Sequence, residues 1–311
     1  MGKVAFMFPG QGAQYVGMGK DFYESFAASR AIYEQASKVL GFSMEELCFE
    51  ENDKLDMTEY TQAAMVTTSI AILKEVEKSG IQADVTAGLS LGEYCALVAG
   101  GVMSFEDAVK VVRARGILMQ DTVPVGQGAM AAVLAFDQKK IEEICEETEG
   151  IVTIANYNCP GQIVISGETD SVKKASESLK EAGAKRVVSL NVSGPFHSMM
   201  LKEAGEKLLT VLEGIEVKDP AIPYVSNTIA DFVTQKEPVK DLLGRQVYSS
   251  VRWQQSIEKM IEDGVDTFIE IGPGKTLSGF MRKINRKCKT INIETVADLE
   301  KLAALKEELG C

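Results

Sequence analysis

The sequence predicts an α/β protein with two domains. A large domain on a mostly parallel sheet is discontinuous over residues 1–123 and 196–311, and a small domain over 124–195 is inserted into it. Three observations lead there. Short apolar runs alternate with helical patterns at both ends of the chain, as parallel strands covered by helices require. The middle of the chain changes to the order β-α-β-β-α-β, the ferredoxin-like arrangement. Gly126 and Gly128 before that change, and Gly194-Pro195 after it, read as linkers. A chain of 311 residues, 45% hydrophobic and 25% charged, has room for both cores.

Residues 4–8 form a short apolar strand stopped by Pro9-Gly10. Helical patterns follow over 21–40 and 58–79. Residues 84–89 make a second strand, with Ser90 at its end and a helix resuming over 91–99. Gly100-Gly101 break that helix. Ser104, with Glu106 and Asp107 behind it, starts the next one, which runs to about 120. In the middle, strands over 129–136, 151–156, 162–166 and 186–190 enclose helices over 137–148 and 170–182. The remainder alternates again: helix 198–212, strand 222–226, helices 238–247 and 253–262, strand 266–271, helix 275–285, strand 289–293 and a last helix.

Bulk properties exclude several classes. A net charge of −12 disfavours a general nucleic-acid surface. The cysteines Cys48, Cys95, Cys145, Cys159, Cys288 and Cys311 contain no C-x-x-C pair, so they read as reduced thiols. The first apolar run is too short for a signal peptide, no later run spans a membrane, and Phe6 stands where myristoylation wants Ser or Thr. The expected location is the cytoplasm.

Gly88-Leu89-Ser90-Leu91-Gly92 has the G-x-S-x-G form of an elbow that presents a nucleophilic serine between strand and helix. A serine needs a base, and His197 is the chain's one histidine. Spacing alone leaves open whether His197 serves Ser90, caps the helix from Ser198, or sits on the surface. Asp107, Asp121, Asp137 and Asp170 fall at helix starts or ends, which favours capping over a third triad member. A dyad whose histidine is oriented by a backbone carbonyl fits better than a standard triad. An oxyanion hole needs two N–H groups. Leu91 supplies one at a helix start, and the loop FPGQGAQ, residues 8–14, suits the other. That loop lacks the third glycine of a dinucleotide fingerprint. Arg115 lies on an apolar-rich helix and either points inward to a carboxylate or faces solvent like Arg113.

The segments FPGQGAQ (8–14), GLSLGEY (88–94), RARG (113–116), NYNCPGQIVISG (156–167), GPFHS (194–198), RQVYSSVRW (245–253) and EIGPGKTLSGF (270–280) together resemble the malonyl-CoA:acyl carrier protein transacylase family over essentially the whole chain. The resemblance implies an α/β-hydrolase-like large domain with a ferredoxin-like insert. It implies Ser90 as the acylated nucleophile, His197 as its base, and the N–H groups of Gln11 and Leu91 as the oxyanion hole. Arg115 becomes the partner of the malonyl carboxylate, and the main-chain carbonyl of Gln246 orients the histidine. Leu89 stands where the family often has histidine, so the base is His197 alone. Phe196 matches a bulky position that goes with malonyl over methylmalonyl. The expected substrates are malonyl-CoA and acyl carrier protein, with no metal, no cofactor, no nucleic acid and no membrane, and a monomer. An acidic carrier would need a basic patch; Lys185 and Arg186, or the run Arg282, Lys283, Arg286, Lys287 and Lys289, could supply it. Two rivals remain at this level: a serine esterase or thioesterase with water as acceptor, and a non-catalytic protein that keeps the fold.

Overall fold

The computed structural model of the chain describes residues 2–190, 192 and 194–309. Cys311, read above as a thiol, lies outside them; the other five cysteines are free. β1 (Lys3–Phe8) is the expected apolar strand, buried at five of its six positions. In place of one helix over 21–40 there are two, α1 (Lys20–Ser25) and α2 (Ala27–Leu40), separated by an extended Phe26 at φ −129°, ψ 125°. No glycine or proline signals that break. α3 (Met44–Phe49) lies outside the expected elements, although Ser43 caps it by accepting from the Glu46 N–H, an S-x-x-E signal that the sequence does carry. α4 (Thr58–Lys78) is buried almost all round, as a helix through the middle of a core must be. β2 (Val85–Gly88), α5 (Gly92–Ala99) and α6 (Phe105–Asp121) follow, the last capped by the Ser104 hydroxyl.

β3 (Gly128–Leu134), α7 (Gln138–Glu147), β4 (Val152–Cys159), β5 (Gln162–Glu168), α8 (Thr169–Glu181) and β6 (Arg186–Ser189) give the β-α-β-β-α-β order. Their strands form an antiparallel sheet ordered β4-β5-β3-β6. Ile141, Cys145, Val172 and Leu179 of its helices pack on Val133, Ile154 and Ile165 in a core of their own. Asp137 caps α7, as its position suggested. Gly128 is the first residue of β3 rather than a linker. A Cβ there would lie 2.3 Å from Cδ of Pro195, so the segments leading into and out of this sheet pass against each other.

α9 (Lys202–Glu213), β7 (Tyr224–Val225), β8 (Phe232–Val233), α10 (Val239–Gln246), α11 (Trp253–Glu262), β9 (Val265–Ile271), α12 (Thr276–Ile284), β10 (Lys289–Ile293) and α13 (Glu300–Leu309) complete the chain. The helix expected over 198–212 begins instead as a 3-10 turn, Met199–Leu201, ahead of α9. β8, with two residues, is too short to leave an alternating pattern. The six-stranded sheet is ordered β10-β9-β1-β2-β7-β8, parallel throughout except for β7 with β8. β1 and β2 sit at its centre, and the crevice beyond the carboxyl ends of such strands is where α/β proteins bind ligands. The small sheet is tied to the segment just ahead of α11, where the Val251 N–H donates to the Ala155 carbonyl (2.7 Å) and the Tyr157 N–H donates to the Val251 carbonyl (2.9 Å).

Candidate active site

β1 and β2 end in register, with Phe8 opposite Gly88. The Leu89 N–H extends the ladder by donating to the Phe8 carbonyl (3.0 Å). The chain then turns at Ser90, whose φ of 50° is left-handed. That conformation is costly for a residue with a side chain and must be held by its surroundings. Asn227 holds it. Its Oδ1 accepts from the Ser90 N–H (2.6 Å) and its Nδ2 donates to the Gly88 carbonyl (2.7 Å). The elbow also explains both motif glycines. A Cβ on Gly88 would lie 1.9 Å from the Gly92 carbonyl, and one on Gly92 would lie 2.2 Å from the Phe8 oxygen.

His197 is the second site residue with a left-handed backbone, at φ 59°. It is buried, behind the buried Phe196. Its Nε2 lies 2.7 Å from Ser90 Oγ and its Nδ1 lies 2.8 Å from the main-chain oxygen of Gln246. A carbonyl oxygen only accepts, so Nδ1 carries the hydrogen and Nε2 offers its lone pair to the serine hydroxyl. Burial first, and the Arg115 charge second, push the His197 pKa down to about 3, against hydrogen bonds to the backbone of Gln246 and Ser249. The imidazole is therefore neutral at pH 7 and free to accept a proton.

Arg115 is fully buried on α6, while Arg113 turns away to pair with Glu59 (2.5 Å) and to cover the Tyr60 ring (4.1 Å). Arg115 donates to Gln62 Oε1 (2.9 Å), Gln246 Oε1 (3.0 Å) and Ser90 Oγ (3.2 Å). All three acceptors are neutral. Burial lowers its pKa, and the nearby Tyr94 and Glu93 raise it. A buried guanidinium whose direct partners carry no charge is a ready receptor for a carboxylate.

The loop after β1 sits directly on the elbow, since a Cβ on Gly10 would lie 2.6 Å from the Leu89 oxygen. Leu91 is the residue before α5. Among the described residues neither the Gln11 nor the Leu91 backbone N–H has a hydrogen-bond acceptor. The site residues expected from the sequence thus gather at one place, around the Ser90 elbow. Asn227, Gln62 and Glu93 also belong to it and were not among the candidates. Gln62 alone carried a signal, as an amide in the apolar face of α4.

The two basic clusters approach the same end of the small sheet, two strands apart. Leu134 pairs with both Gln162 and Arg186, and Lys283 Nζ donates to Gln162 Oε1 (3.3 Å). Lys185, Arg186, Arg282 and Lys283 are all exposed. No helix among the described residues is long and apolar enough to cross a membrane.

Residues 5–302 match the family described as acyl transferase domain. The malonyl CoA-acyl carrier protein transacylase of Bacillus subtilis is 49% identical over 313 residues, 99% of each chain. The crystal structure of malonyl CoA-acyl carrier protein transacylase from Clostridium perfringens has a TM-score of 0.96 at 46% identity, covering 99% of this chain and 98% of that one. A malonyl-transacylase solved in complex with its type II PKS acyl-carrier protein has a TM-score of 0.95 at 38% identity, covering 97% and 99%. With a strained serine elbow, a neutral histidine and a buried arginine converging on one hydroxyl, the chain belongs to the acyl transferase family, among the malonyl CoA-acyl carrier protein transacylases.

Proposed function

We propose that the protein moves a malonyl group from malonyl-CoA, through an ester on Ser90, to the pantetheine thiol of acyl carrier protein in fatty acid synthesis. The observation that carries this is the place of Ser90 Oγ, 2.7 Å from a neutral imidazole and 3.2 Å from a buried guanidinium. His197 Nε2 takes the hydroxyl proton as Oγ attacks the thioester carbonyl. The N–H groups of Gln11 and Leu91 receive the developing oxyanion. The C–S bond breaks, the imidazolium returns its proton to the departing CoA thiolate, and the malonyl ester remains. In the second half, His197 accepts the carrier thiol proton as the sulfur attacks the ester, and returns it to Ser90. Arg115 holds the malonyl carboxylate throughout, and Phe196 restricts space for an α-methyl group. None of these steps needs a metal or a resident cofactor. The protein works as a cytoplasmic monomer, with neither nucleic acid nor membrane as partner.

Intact-protein mass after mixing with malonyl-CoA tests this reading. Wild type gains one malonyl group, acyl carrier protein removes it, and Ser90→Ala gains nothing. Free malonate without a carrier would favour a hydrolase, and no adduct at all would favour a non-catalytic protein.

The carrier docks on the exposed face shared by Lys185, Arg186, Arg282 and Lys283, because an acidic partner meets an otherwise acidic chain. Charge reversal at Arg282 and Lys283 together raises the KM for carrier about tenfold, more at low salt than at high salt. An unchanged carrier KM would exclude this face.

A further inference from the structure

We infer that Glu93 is the positioning residue of this site: one oxygen of its buried carboxyl sets the peptide and the amide on which His197 and Arg115 depend, and the asparagine that clamps Ser90. The inference rests on the transfer reading for its substrates and on geometry for its residues. Glu93 Oε2 accepts from Gln246 Nε2 (2.7 Å) and from the Asn227 N–H (3.2 Å). Gln246 then serves both sides of the nucleophile. Its main-chain oxygen holds His197 Nδ1 (2.8 Å), its Oε1 holds Arg115 Nη2 (3.0 Å), and its Nε2 also reaches the Ser90 carbonyl (2.9 Å). Asn227, the other group on Glu93, fixes the Ser90 N–H (2.6 Å). Three groups of the site, Ser90, His197 and Arg115, therefore lie two hydrogen bonds or fewer from one carboxyl.

The chemistry of the amide makes this directional. A glutamine side chain has one acceptor and one donor end. Glu93 is an acceptor, so it forces the donor end of Gln246 toward itself and the oxygen toward Arg115. Without it the amide can rotate and turn its own N–H groups on the guanidinium. Glu93 is fully buried, an expensive location for a carboxyl. Burial pushes its pKa up to about 7, against hydrogen bonds from Gln246, Asn227 and Ser226. Its position in the first turn of α5 suits a helix dipole, yet its hydrogen bonds go to Gln246 and Asn227 instead of to its own helix.

The test compares wild type, Glu93→Leu and Glu93→Gln on three readouts: malonyl transfer, the ratio of malonyl to acetyl uptake, and the rate at which Ser90 reacts with a fluorophosphonate probe. Glu93→Leu lowers malonyl transfer about 100-fold, the scale of a misplaced catalytic group. It also collapses the malonyl-to-acetyl ratio, because Arg115 loses its fixed acceptor, and it slows phosphonylation. Glu93→Gln keeps an acceptor oxygen and recovers the ratio and most of the rate. A structural role alone would lower both acyl substrates together. An unchanged ratio in Glu93→Leu, or no recovery in Glu93→Gln, overturns the inference. If Glu93→Leu does not fold, Glu93→Asp replaces it: shortening withdraws the oxygen from Gln246, and a wild-type ratio there overturns the inference equally. If wild type takes no malonyl, the transfer reading fails by itself, and the phosphonylation rates still decide the role of Glu93.

Discussion

His197→Ala slows acylation of Ser90 by malonyl-CoA about 10²–10⁴-fold, the contribution of a positioned general base. The residual rate comes from the oxyanion donors and from binding, which the variant leaves in place. No other imidazole exists in the chain to substitute, and Nδ1 faces a carbonyl rather than a carboxylate, so no second acid-base group stands behind His197. Rapid-quench measurement of CoA release reads the effect, and a loss under fivefold would remove His197 from the mechanism. The pH dependence follows from the same environment. Because the His197 pKa is held down to about 3, His197 puts no acid limb on wild-type kcat/KM in the ordinary histidine range near 6.5, and its own limb lies well below that; a limb near 7 reports Glu93, whose pKa burial pushes up to about 7. Linkage gives the matching sign for stability. The unfolded chain takes up this proton near 6.5 and the folded chain does not until about 3, so His197 costs stability progressively as pH drops between those values.

Much of this site was legible because its constraints are local. The elbow needs a strand, a serine at its end, a helix, and glycines where backbones nearly touch, and residues 85–99 carry all four. The β-α-β-β-α-β order was legible for the same reason, since each element has its own periodicity. What stayed hidden depends on segments far apart in the chain. Asn227 reaches the Ser90 elbow (2.6 Å) across 137 positions, and Glu93 meets Gln246 across 153, with no local pattern to mark either. The extended Phe26 breaks a helical pattern without glycine or proline. Arg115 is the instructive intermediate case. Ala108, Val111, Val112, Arg115 and Met119 are buried and follow helical spacing, so Arg115 occupies a core position of its own stripe, and Arg113, two residues away, faces another direction. The periodicity of α6 therefore did hold the answer that residue type alone left open.

Arg115→Met separates what this side chain does for substrate from what it does to the fold. Losing one partner of a buried, hydrogen-bonded charge pair costs about 2–5 kcal/mol, so kcat/KM for malonyl-CoA falls by a factor of roughly 30 to several thousand. Acetyl-CoA has no carboxylate to lose, so its kcat/KM changes far less and the preference for malonyl disappears. Stability changes little. In the absence of substrate the guanidinium is buried against Gln62, Gln246 and Ser90, none of them charged. Tyr94 and Glu93 offset the buried charge only in part; an apolar side chain of similar length avoids that cost but leaves the Gln62 and Gln246 oxygens without their donor. The two effects oppose, so the variant melts close to the wild-type temperature. It also relieves the Arg115 charge that helps depress the His197 pKa, so the acid limb of the acetyl-CoA profile moves up toward the ordinary histidine range. Thermal melts and pH profiles with both acyl donors check the three effects together. A lower melting temperature with equal losses for malonyl and acetyl would make Arg115 a packing residue. Selectivity lost while stability holds would mean that the buried cation is kept for the acyl carboxylate, at a cost the empty fold carries.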